Sequence, residues 1–160
     1  MNAVLLSLHV LAAIIAIGPI CVAASMFPAE ARRALEGHNE NATTRLAVLA
    51  RISRVYAALG IAVPVLGMMT AASMDVLSQA WVLVSTGLTL VAALLLALVV
   101  LPHQQSLLAD VTAQPDTGTG IGVATRQKIG RLAMATGVFN LLWATVTVLM
   151  IVRPGSSTGV

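Results

Sequence analysis

Four side chains that could bind a soft metal ion fall near the same end of hydrophobic segments: His9, Met68, Met69 and Met150. An imidazole nitrogen with thioether sulfurs suits Cu(I), and a His/Met pair also ligates haem iron. Methionine is equally a common filler of apolar cores, and no fixed Met spacing marks a metal site here. The pattern therefore permits two interpretations, a copper or haem site and simple packing.

His9 is an ionisable side chain inside an apolar run, where such groups are costly and usually have a partner or a function. A carbonyl oxygen freed near Pro64, or a nearby hydroxyl group, is the simplest partner. At about 1.5 Å of helix rise per residue, His103 should lie about 20 Å from His9 along the membrane normal. These two histidines cannot share a metal ion.

Asn140 is a polar side chain near the middle of the last hydrophobic segment. An amide at that depth should bond to another helix, and such a bond contributes about 0.6–2 kcal/mol. Thr89 or Thr86 of the third segment, or the backbone around Pro64, are the partners that the spacing indicates.

Motifs of known enzyme chemistry are missing from the sequence. The apolar segments hold no paired carboxylates, and the chain has no Gly-x-Ser-x-Gly, phosphate-binding loop or His-Glu-x-x-His. The Gly/Thr-rich string at 116–122 follows no strand and is typical of a flexible linker. The sequence therefore predicts a non-catalytic protein.

The composition indicates that a bilayer is the solvent. Of the 160 residues, 58% are hydrophobic and 9% are charged, and the mean hydropathy is +0.94. That leaves too few polar side chains to cover a water-soluble globule. The net charge of +3 does not indicate nucleic acid, because the basic residues flank apolar segments and aromatic residues are only 3%.

The hydrophobic segments predict an all-α protein with a single integral membrane domain at 1–160, a four-helix transmembrane bundle with up-down topology. We expect Pro28 and Pro102 to end the first and third helices. Kinks are expected at Pro19 and Pro64, where proline removes a backbone donor. The predicted helices are 3–27, 44–73, 81–101 and 131–152.

The distribution of Lys and Arg predicts the orientation. The two longer connectors hold eight of the nine basic residues, so both should face the cytoplasm. The protein is expected in the cell inner (plasma) membrane, with both termini on its outer side. Arg51, Arg54 and Tyr56 are expected at the level of the lipid headgroups.

Several short stretches resemble a known family. Leu8-His9-Val10-Leu11-Ala12-Ala13, the glycine Gly18, Trp143 and the closing Arg153-Pro154-Gly155 resemble the predicted integral membrane proteins of DUF2269. That family is similar in pattern to the CopD-like set of copper-resistance membrane proteins. The resemblance implies a helical membrane fold and no particular activity.

Three functions are compatible with these features. The first is a non-catalytic binding or accessory subunit of a membrane complex, in contact with membrane lipids and forming a homo-oligomer or a larger assembly. The second is a copper- or haem-binding redox or transport protein that uses His9 with Met68, Met69 or Met150. The third is binding of a lipid or quinone near Pro19 and Pro64.

Overall fold

The structure is a computed structural model that describes residues 2–36, 41–113 and 122–155. These residues form helices and short turns, with no strand among them. The linker predicted at 116–122 lies outside them apart from Gly122. The helices are α1 (Asn2–Leu35), α2 (Ala42–Gly60), α3 (Ala62–Ser73), α4 (Ala80–Leu95), α5 (Leu101–Ala113) and α6 (Val123–Val152), with a π-helical segment, Leu96–Val100, joining α4 to α5.

Within the described residues, four helical spans are long and apolar enough to cross a membrane. The second span combines α2 with α3, and the third combines α4, the π segment and α5. The predicted all-α fold with four transmembrane helices is confirmed. The spans are Asn2–Leu35, Ala42–Ser73, Ala80–Ala113 and Val123–Val152.

Pro64 interrupts the second span, as the sequence indicated. Because proline has no N–H, the Gly60 carbonyl loses its usual helical donor. α2 ends at Gly60, and Ile61 N donates to Ala58 O at 3.3 Å before α3 begins. The first span contains Pro19 without interruption, so the kink expected there stays a prediction.

The expectation that Pro28 ends the first helix was wrong, because α1 continues to Leu35. Tertiary packing explains the difference. Ala31 is fully buried, and Glu30 binds an arginine of α2. These contacts hold the last two turns of α1 in a helix despite the backbone hydrogen bond that Pro28 removes.

Pro102 does not end the third helix either. Before it, the chain widens into the π-helical segment, in which each N–H reaches one residue further back, and α5 then continues to Ala113. His103 Nδ1 lies 2.8 Å from Val99 O and donates to this carbonyl of the π-helical segment. A π turn thus accommodates the proline.

The last helix begins at Val123 and not at the predicted 131. The sequence placed its start at the limit of the apolar run, whereas the helix extends two turns beyond it. Lys128 lies on one of these turns, and its Nζ is 2.8 Å from Asp110 Oδ2 of α5. The first two turns of α6 therefore extend beyond the apolar run and carry this charged pair.

The bundle is packed tightly at one end. This end, here called the basic end, comprises the C-termini of α1 and α5 and the N-termini of α2 and α6. Phe27, Leu46 and Leu107 are fully buried there, and Gln104 Nε2 donates to Ser53 Oγ at 3.3 Å across two helices. The opposite end, here called the open end, holds a large cavity.

A buried acidic residue joins α1 to α2 at the basic end. The Glu30 side chain is 7% exposed, and its two oxygens accept from Arg33 Nη1 at 2.7 Å and Arg45 Nε at 3.1 Å. A carboxylate at this depth is stable only when it is paired. The sequence did not single out this cluster, because Glu30 and Arg45 come together only through the packing of two helices.

Candidate ligand-binding cavity

The open end of the bundle holds a cavity of about 970 Å³ between α1, α3, α4 and α6, and this cavity is open along part of its wall. This volume lies at the upper end of the range of about 300–1,000 Å³ that is typical of small-molecule sites. Most of its wall is aliphatic, with a few polar side chains. The polar and sulfur-containing residues of the wall include His9, Met68, Thr89, Asn140, Trp143 and Met150.

His9 of α1 is held in one orientation by α3. It is 8% exposed, and its Nδ1 lies 3.0 Å from Val63 O. A carbonyl oxygen only accepts, so Nδ1 carries a proton and, in the neutral ring, Nε2 is left as an acceptor. The acceptor is the carbonyl oxygen of Val63, the residue before Pro64. It is not the carbonyl oxygen of Gly60, which is the one that loses its helical N–H donor because of Pro64.

Gly67 makes room for the His9 ring. A Cβ at position 67 would lie 2.9 Å from His9 Cε1 and 3.3 Å from Nδ1. The first of these distances is closer than van der Waals contact permits. Any other residue at position 67 would therefore displace the imidazole or push α3 away from α1.

Three of the four residues suggested for a metal site share the cavity wall. His9, Met68 and Met150 all line it, whereas Met69 does not and is 51% exposed. Met68 Sδ lies 4.0 Å from Thr86 Oγ1. No group of three or more His, Cys, Asp and Glu side chains able to hold a metal occurs in the described parts of the chain, so any metal here would depend on thioether ligands.

Asn140 bonds to a helix that the sequence did not indicate. Its Nδ2 donates to Ser25 Oγ of α1 at 3.0 Å, and the expected bond to Thr89, Thr86 or the backbone around Pro64 was wrong. The reason is that α6 packs against α1 as well as α4. Thr89 still lines the cavity and is 8% exposed, while Asn140 Oδ1 is buried with no partner among the described residues.

Both tryptophans of the chain also line the cavity, a placement that sequence reasoning missed. Trp143 Nε1 is buried and has no partner in the described residues. Trp81 lies toward the open end, and the Arg153 guanidinium carbon is 5.7 Å from the centre of its ring, within the range of a cation–π contact. Arg153 itself lines the cavity, so one positive charge faces an otherwise uncharged wall.

The residues expected at the headgroups lie toward the basic end. Arg51 and Arg54 of α2 are exposed, whereas Tyr56 is half-buried and packs against the hydrophobic core. Their contact with lipid headgroups stays a prediction.

Comparison with known proteins gave one family match. Residues 3–154 match the family model described as "Predicted integral membrane protein (DUF2269)". No curated protein and no solved structure showed a significant match. Because the family model covers nearly the whole chain, the protein belongs to the DUF2269 family of predicted integral membrane proteins.

Proposed function

We propose that this protein is a non-catalytic membrane protein that binds one apolar small molecule, of the lipid or quinone class, in the cavity at its open end. The observation that supports this most is the volume of the cavity, about 970 Å³ behind a largely aliphatic wall. A pocket of this kind, with a few convergent polar groups, is the usual form of a small-molecule site.

The polar groups of the wall favour a ligand that carries a hydroxyl or carbonyl group. His9 Nε2 can accept a hydrogen bond from a hydroxyl, because Nδ1 is engaged by Val63 O. The Trp143 N–H has no partner among the described residues, and leaving such a group unsatisfied costs about 1–3 kcal/mol. A ligand carbonyl oxygen near the indole would recover part of that cost.

The orientation that we propose places the basic end in the cytoplasm and both termini outside the plasma membrane. The support is the concentration of Lys and Arg at that end, since cytoplasmic loops carry such an excess. The ligand would then enter from the outer leaflet. A role as an accessory subunit of a larger complex, or as a homo-oligomer, stays a prediction.

The test compares two threonines of α6. Thr147 lines the cavity and Thr145 does not, yet both are exposed and both donate to the carbonyl four residues back. We expect native mass spectrometry of the wild-type protein in mild detergent to show one retained apolar molecule. Thr147→Phe, whose ring would occupy the cavity, should lose it, and Thr145→Phe should keep it.

Two results would contradict this proposal. One is a wild-type spectrum with no retained small molecule after reconstitution with total membrane lipid extract and quinone. The other is equal retention of this apolar molecule, identified by its mass, by both phenylalanine variants, which would place it on the outer surface of the bundle.

Binding of Cu(I) or haem is the second candidate, and the common cavity of His9, Met68 and Met150 favours it. Metal-binding histidines usually donate their other ring N–H to a carbonyl or carboxylate, which fixes the ring. The Nδ1 contact to Val63 O provides that arrangement for Nε2. Thioethers with imidazole form a soft ligand set that suits Cu(I).

A further inference from the structure

A second and smaller concavity lies on the surface between α1 and α6, toward the basic end. Its volume is about 310 Å³. Asn140 lines both this groove and the large cavity, so its hydrogen bond to Ser25 lies where the two meet. The whole concavity is here called the α1–α6 groove. The rest of its wall includes Ala29, Arg32, Ala133, Thr136 and Gly137.

The contact between Ser25 and Asn140 fixes the depth of the groove. The two helices are antiparallel, so seven residues on from Ser25 and seven back from Asn140 bring Arg32 and Ala133 to a common level. That level is about 10 Å closer to the basic end. The groove therefore runs from the hydrocarbon region toward the lipid headgroups.

Arg32 ends the groove with an unneutralised charge. It is exposed, and no carboxylate of the described residues pairs with it. Arg33 and Arg45 share Glu30, and Lys128 binds Asp110, whereas Arg32 is the arginine that lines the groove and has no such partner among the described residues. An unpaired guanidinium at headgroup depth beside an apolar groove offers a strong site for a phosphate.

Thr136 supplies a second polar group within the groove. The residue is 2% exposed, and its Oγ1 has no partner among the described residues. It lies three residues, about 4.5 Å, deeper than Ala133. The wall around it is made of small residues, and a Cβ at Gly137 would meet no atom within 4 Å.

We propose that the α1–α6 groove binds one anionic phospholipid from the leaflet at the basic end. The Arg32 guanidinium donates to the phosphate, and the Thr136 hydroxyl donates to an ester carbonyl of the glycerol group. One acyl chain starts beside Gly137, which lies deeper than Thr136. The order of depth from the basic end, Arg32, Thr136 and then Gly137, matches the order of phosphate, ester carbonyl and acyl chain in an inserted phospholipid.

The charge of Arg32 favours a lipid over a second copy of the chain. In a symmetric dimer within one membrane, both copies have the same orientation and depth. Packing along this groove would place the two Arg32 side chains at one level. Like charges at close distance oppose such a contact, whereas a phosphate neutralises the guanidinium.

The experiment uses the full-length protein in nanodiscs of equal parts phosphatidylglycerol and phosphatidylcholine, followed by detergent extraction and native mass spectrometry. The wild type should retain one phosphatidylglycerol in preference to phosphatidylcholine. Gly137→Leu should fill the groove and lose this lipid. Gly130→Leu is the matched control, because Gly130 is on the same helix, its Cβ would also meet nothing within 4 Å, and it does not line the groove.

The charge is tested separately. Arg32→Gln should lower the preference for phosphatidylglycerol about tenfold, because a charge-assisted hydrogen bond of this kind is lost. Arg126→Gln, which removes an exposed arginine at the basic end that does not line the groove, should leave the preference unchanged. Thr147→Phe, in the large cavity, should also leave it unchanged, so this site and the proposed ligand cavity can fail independently.

Equal phosphatidylglycerol retention by Gly137→Leu and Gly130→Leu would overturn the proposal. So would a wild-type protein with no preference between the two lipids. If Gly137→Leu instead abolished a dimer without changing bound lipid, the groove would be an interface between two copies of the chain.

Discussion

The His9 imidazole lies directly over Gly67, with its Cε1 2.9 Å from the place where a Cβ of residue 67 would be. The ring is also hydrogen-bonded through Nδ1 to Val63 O, one helical turn earlier on α3. These two contacts fix the spacing of α1 and α3 along one wall of the cavity. His9 thus has a structural role and still presents Nε2 as an acceptor.

Gly67→Ala should destabilise the protein. The added methyl group must displace the His9 ring, which loses the buried hydrogen bond to Val63 O, and we expect a cost of about 1–3 kcal/mol. Gly60→Ala is the control, since a Cβ there would make ordinary contacts of 3.8 and 4.0 Å with Ile17 and Ile20. Reversible unfolding in mixed detergent micelles provides the measurement.

A double-mutant cycle isolates the cause of that effect. In a His9→Ala background the clash is absent, so Gly67→Ala should cost nothing or stabilise the helix slightly. The same cost in both backgrounds would show that the alanine disturbs some other contact of α3.

Asn140 and Ser25 should be energetically coupled. Removing either side chain by substitution with alanine breaks the same hydrogen bond, and we expect a coupling energy of about 0.6–1.7 kcal/mol for a bond of this kind in a membrane protein. Thr89→Val should show no coupling to Asn140→Ala, because these residues are not hydrogen-bonded to each other. Coupling to Thr89 but not to Ser25 would mean that α6 is rotated relative to this structure.

The Glu30 cluster should contribute more to stability than the pair at Lys128. Glu30→Gln removes the charge that Arg33 and Arg45 share in a nearly buried position, and we expect a loss of about 1–3 kcal/mol. Asp110→Asn breaks a pair whose side chains are 35% and 44% exposed, so its cost should be about 0–1 kcal/mol. Equal losses of unfolding free energy for the two variants would contradict the burial of Glu30.

Two adjacent methionines test the copper candidate. Met68 lines the cavity and Met69 does not. If Cu(I) binds with His9 and Met150, Met68→Leu should weaken its affinity at least about tenfold, which is the loss expected for one ligand of a soft site. Met69→Leu should have no effect on Cu(I) affinity measured by competition with a chelator. Equal affinities for all variants, or no binding by the wild type, would remove this candidate.

The four helical spans could be predicted from the sequence because a long apolar run crosses a bilayer as an α-helix, in which the backbone hydrogen bonds are satisfied within the segment. Their ends were less predictable. Pro28 and Pro102 are strong signals for a helix end, but burial of Ala31 and the π segment before Pro102 outweigh them. Both effects depend on neighbouring helices or on an altered hydrogen-bond ladder, neither of which is visible in local residue patterns.

The candidate site was predictable only in part. Depth along the membrane grouped His9 with Met68 and Met150, because each helix rises by a constant amount per residue, and these three residues line one cavity. The sequence did not show which way each residue faces around its helix axis. Met69 was therefore included in the predicted metal site, and Ser25 was not identified as the partner of Asn140. Trp143 and Arg153 joined the site through the arrangement of α6 against α1 and α4.

The central claim, that a ligand occupies the cavity at the open end, is tested most directly by intrinsic fluorescence. The chain contains two tryptophans, and both line that cavity. Titration of the delipidated protein in detergent with a short-chain benzoquinone should quench their emission with saturation at one equivalent per chain, in the wild type and in Thr145→Phe. Saturable quenching should be absent from Thr147→Phe. Quenching that rises linearly without saturation, and equally in all three proteins, would contradict a ligand site in the cavity.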